Sequence, residues 1–149
     1  MKRLFFIAVL CLVFTATPAI AADLATYQTK LQKLYNELLS IKQTQEFAQM
    51  GFGPGNKRAS TWNKETFALR DAMDKEKLPY QVQDSAQALI NLGSFYLDAR
   101  KSGFKNVMML HAHEETTYTL RRKVEDAIAF NPVEDAKKDK GRIIDTGAK

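Results

Sequence analysis

From Leu24 onward the apolar residues of this chain recur every three or four positions, and no stretch carries the two-residue alternation of a half-buried strand. That regularity confines the fold to helices. Leu24, Tyr27, Leu31, Leu34, Leu38, Ile41 and Ala48 make one stripe over 23–49, with Lys33, Asn36, Ser40 and Gln43 behind it. Asp23 is placed to cap its start. Gly51-Phe52-Gly53-Pro54-Gly55 ends it, because glycine and proline at this density cannot continue a helix.

A shorter second helix is expected over 62–76, capped by Thr61 or Asn63, with Trp62, Thr66, Leu69 and Met73 as a narrow apolar face. Pro79 suits the first turn of a third helix over 80–101. Ser102-Gly103 reads as a turn, with Gly103 at the left-handed position past the helix end. A fourth helix then runs over 104–130 and stops before Asn131-Pro132. One unbroken helix over 80–130 would keep phase through Gly103, but 51 residues lie far outside ordinary helix lengths. Short connections favour antiparallel neighbours, so the expected fold class is all-α. It is an up-and-down bundle over 22–131 of three long helices and one short helix. Beyond it, 132–149 is mostly charge and is expected to be a flexible tail.

Residues 1–21 have a different character. Lys2 and Arg3 precede an unbroken apolar run from Leu4 to Phe14, and Ala19-Ile20-Ala21 presents small residues where a signal peptidase reads. The run has 11 residues, against the roughly 20 that a membrane span needs. These are the three parts of a secretory signal peptide, cleaved after Ala21, and they imply a periplasmic protein with no stable membrane insertion. The sole cysteine, Cys11, leaves with the leader, and Val9 and Leu10 before it do not form a lipidation site. Removing 21 of the 149 residues leaves 128, with 20 basic side chains against 17 acidic. So small and even a surplus does not call for nucleic acid as a partner. The mature chain has no thiol for a disulfide, an iron–sulfur ligand or a c-type haem, so packing must stabilise it.

The patch Met108-Met109-Leu110-His111-Ala112-His113-Glu114-Glu115 concentrates ligand-type side chains. On a helix His111 and His113 point about 200° apart, so the workable pairs are His111 with Glu114 or Glu115, and Met109 with His113. Each supplies two donors, and a closed metal site needs more from other helices. His113 lies within the stripe of Leu110, Thr117, Leu120, Val124 and Ile128. It is therefore expected to be a core histidine bonded to a hydroxyl or carboxylate of a facing helix. Metal or haem ligation by His113 and Met109 is the alternative. In four-helix haem proteins of the b type the iron takes a first-helix methionine and a last-helix histidine. Here Met50 lies only at the end of the first helix, so that comparison rests on architecture alone.

Catalytic signatures are missing from the sequence: no G-x-S-x-G, no H-E-x-x-H and no nucleophilic cysteine in the mature chain. Gly51–Gly55 with Asn56-Lys57-Arg58 looks superficially like an anion cradle. It follows a helix instead of a strand, however, and Pro54 removes a backbone donor. The expectation is a non-enzyme without a cofactor. The third helix carries the signal for interaction. Val82, Ala86, Leu89, Ile90, Gly93, Tyr96 and Leu97 form one apolar face, and Ala88, Leu92, Phe95 and Ala99 extend it around a second side. That arc is about twice the ~100° of an ordinary surface helix. Either this is the most buried helix, or Leu92 and Phe95 anchor a partner. The expected function is binding to another envelope or exported protein, as an adaptor, a secretion or conjugation factor, a chaperone-like protein or an immunity protein. A small periplasmic metal- or haem-binding protein is the second expectation.

Overall fold

A computed structural model describes residues 23–76, 78–102 and 107–136. The expected leader, the turn at Gly103 and residues 137–149 lie outside the described residues. Helix α1 covers 23–41, α2 Gln45–Met50, α3 Lys57–Lys75, α4 Tyr80–Gln83, α5 Ser85–Ser102 and α6 Val107–Ala129. A last helical turn follows at 132–136, and there is no strand among the described residues.

The contacts between helices give the topology. On α1, the indole Nε1–H of Trp62 in α3 donates to Leu34 O at 2.7 Å, while Arg58 pairs with Glu37. Between α3 and α5, Arg70 reaches Gln87, and a Cβ on Gly93 would stand 2.8 Å from Trp62 Cη2. Between α5 and α6, His113 lies against Phe95, and just ahead of α5 Lys123 meets Asp84 at 3.2 Å. Finally Gln28 in α1 donates to Ala127 O in α6 and to Phe130 O just beyond it, and Tyr35 donates to Glu125. In every pair a rising number meets a falling one. The four long helices α1, α3, α5 and α6 therefore run up, down, up and down, each antiparallel to two neighbours. The α5–α6 hairpin excludes the unbroken helix over 80–130.

The second helix is long where a short one was expected. It begins at Lys57 because Asn56, 2% exposed, takes the Ala59 N–H on its side-chain oxygen at 3.1 Å. Thr61 and Asn63 lie inside it. The first helix is shorter than its stripe. Thr44 turns extended there, donating its hydroxyl to Ile41 O at 2.8 Å and accepting the Phe47 N–H at 3.2 Å. One side chain thus closes α1 and caps α2. Gly51 then ends α2 at φ +56°, and a Cβ there would sit 2.7 Å from Leu97 Cδ2. Asp84 separates α4 from α5, and Ser85 Oγ donates back to Val82 O at 2.6 Å. The first residues of the expected tail are ordered into a turn, since Asn131 Oδ1 accepts the Val133 N–H at 3.0 Å.

Helix α5 lies at the centre. Ala86, Leu89 and Leu92 are fully buried, and so is Val82 in the turn of α4 before it. Under its α3 side, Phe47 meets Phe52 edge to face with ring centroids 5.1 Å apart, and Phe52 stacks on Trp62 at 5.3 Å. Gly93 leaves the space into which Trp62 closes.

Candidate interaction surface at the α5–α6 hairpin tip

Because α1 stops at Ile41, the start of α6 extends past it. The hydrogen bonds that tie α6 to α1 run through Ala127, Glu125 and Arg121, well beyond residues 107–115. In that stretch only His113 is part-buried. Nine residues of α6, about 13 Å of helix, thus rest mainly on α5.

This segment opens with four apolar residues in a row. Val107 is 68% exposed, Met108 79%, Met109 60% and Leu110 39%. Four successive helical residues turn through about 300°, so the apolar surface faces almost all round instead of forming one inward stripe. Beside it a shallow groove of about 300 Å³ is lined by Phe95 and Asp98 of α5 and by Met109, Ala112, His113 and Thr116 of α6.

His113 pins the two helices together at this groove. Its Nε2 lies 2.8 Å from Phe95 O, which fixes that nitrogen as the N–H donor. The Thr117 hydroxyl, one turn on, approaches Nδ1 at 3.5 Å. The Phe95 ring lies 5.4 Å away, centroid to centroid. A main-chain carbonyl of the facing helix is thus one partner of this ring. Met109 and His113 share the groove, but ligation by His113 would first have to release one of these bonds. His111 is exposed, with Nδ1 3.7 Å from Glu114 Oε2 one turn on. Among the described residues no three His, Cys, Asp or Glu side chains gather to hold a metal ion.

Leu92 and Phe95, read as a pair of outward anchors, separate in the structure. Leu92 is fully buried. It belongs to the hydrophobic core, so no part of it is open to a partner. Phe95, one turn nearer the tip, is part-exposed and lines the groove. Val107–Leu110 was the signal that periodicity reasoning passed over: a run too apolar for any single face. No family model, curated protein or solved structure matches this chain.

Proposed function

We propose that this chain is exported and acts without catalysis, by holding another envelope or exported protein at the α5–α6 tip. The observation that carries the reading is the exposed run Val107–Leu110 next to the Phe95 groove. A contiguous apolar patch on a folded domain is costly to leave in water and marks an interaction surface. Met108 and Met109 suit that role, since unbranched thioether chains repack against partners of different shape. Phe95 supplies a part-buried aromatic of the kind that anchors protein interfaces. Export rests on the three-part leader at 1–21, and no helix among the described residues is long and apolar enough to cross a membrane.

A photo-crosslinking residue placed at Met109, and in a second strain at exposed Lys64 on α3, tests this in the native envelope. The expected result is one discrete adduct from position 109, none from 64, and loss of the first on Met108→Lys. Equal adducts from both positions, or none from either, would overturn the tip as the contact surface. Export is checked separately by intact mass, which should show a chain beginning at Ala22.

A further inference from the structure

Sulfur is placed unevenly in this molecule. With Met1 and Cys11 in the proposed leader, the rest of the chain carries its sulfur as thioethers, at Met50, Met73, Met108 and Met109. No thiol there competes with them for an oxidant. Met73 is fully buried in the core. Met50 is 44% exposed, but its Sδ lies against the loop, 2.7 Å from where a Cβ on Gly55 would stand. Met108 and Met109, at 79% and 60%, are the most exposed of the four, and both stand at the start of α6. Being consecutive on a helix, they point about 100° apart and cover two sectors of the apolar tip. Met109 also lines the groove beside Phe95.

Taking the tip as the contact surface, on which the release step depends, we infer that Met108 and Met109 form a reversible oxidation site. Sulfoxide formation there turns the tip from apolar to polar and releases its partner. The oxidant is a peroxide. A thioether lone pair attacks one peroxide oxygen, and the S–O bond forms as the O–O bond breaks. Sulfur is oxidised by two electrons, and hydrogen peroxide is reduced to one water that carries away both protons. Methionine sulfoxide reductase reverses the step with a dithiol, which becomes a disulfide while the oxygen leaves as water.

A sulfoxide oxygen is a hydrogen-bond acceptor, so an apolar partner surface must strip its water and offer no donor in return. Burying an unpaired polar group in this way weakens a contact by about tenfold or more. Because Met73 is sealed, the oxidant changes the tip and leaves the core thioether as it was.

The test treats the purified protein with hydrogen peroxide and follows sulfoxide at each methionine by peptide mass spectrometry. Met108 and Met109 should gain oxygen ahead of Met50. Met73 should stay unchanged, with the melting temperature within a few degrees of the untreated protein. A photo-crosslinking residue at Ala112, exposed in the groove wall, reads the contact in isolated native envelopes. Peroxide should lower its adduct by about tenfold or more, and methionine sulfoxide reductase with a dithiol should restore it. Met108→Leu with Met109→Leu keeps the tip apolar and gives peroxide no thioether there, so its adduct should persist through the same treatment. Met50 or Met73 oxidising as fast as the tip pair would overturn the site. So would an adduct that survives sulfoxide at both positions, or one lost equally from the leucine variant. No adduct even before peroxide would overturn the tip as the contact surface, and the release step with it, which separates the two failures.

Discussion

Trp62 shows how much one side chain can decide in this bundle. Its indole N–H holds Leu34 O on α1, its ring stacks on Phe52, and its edge closes over Gly93 of α5. Trp62→Phe should cost about 2–4 kcal/mol in urea unfolding, through the lost volume and the lost hydrogen bond. Leu92→Ala should likewise cost about 2–5 kcal/mol, the range for emptying a buried leucine site. A variant as stable as the parent would put Leu92 back on the surface. The polar residues predict a pH dependence. The Tyr35 hydroxyl at 2.6 Å, and then the pull of Arg121, hold the Glu125 carboxyl below its ordinary pKa. Arg58 does the same for Glu37 through its hydrogen bond. A carboxylate whose pKa is lower folded than unfolded stabilises the fold fully above its unfolded pKa, about 4.3. It loses that contribution as pH falls through the lowered folded value. Stability should therefore decline in acid below about pH 4.3, and more shallowly in Tyr35→Phe, which also gives up about 0.5–1.5 kcal/mol near neutrality. NMR titration of the Glu125 carboxyl against pH checks the shift directly.

At the scale of elements, boundaries matter more than periodicity. Thr44 ends α1 and starts α2 with one hydroxyl, so Thr44→Ala should cost about 1–2 kcal/mol, above the usual single cap. Gly51→Ala meets two obstacles, the left-handed φ of +56° and Leu97 Cδ2 at 2.7 Å. It should lose about 1–3 kcal/mol in the same unfolding assay, while Gly53→Ala, at negative φ, loses less. Little of this was legible beforehand. The stripe from Leu24 to Ala48 keeps helical phase across Thr44, and phase cannot reveal a break that a hydroxyl makes. Asn56 was visible as a capping residue type, but Gly51–Gly55 drew attention to the loop. Its burial as the cap of α3 needed the neighbouring helices.

For the whole molecule, the lone thiol at Cys11 lies in the proposed leader, so that proposal predicts coincident melts of the chain from Ala22 with and without reductant. A tip variant, Met108→Lys with Met109→Glu, should leave the melting temperature within a few degrees, because both side chains are mostly in water already. A drop of ten degrees would mean that the tip is packed, and would remove the reason for placing a partner there. By itself the sequence determined the helical class and the up-and-down order, and it left the wide apolar arc of Val82–Leu97 open to two readings. Apolar spacing and turn residues are local properties of a chain, and short connections force antiparallel neighbours. Only the tertiary structure decided which apolar residues stay wet. Leu92 and Met109 both read as apolar positions on helices, yet one is sealed and the other open. The difference is that α6 runs on past the end of α1 at Ile41, an offset between helices that no single helix encodes.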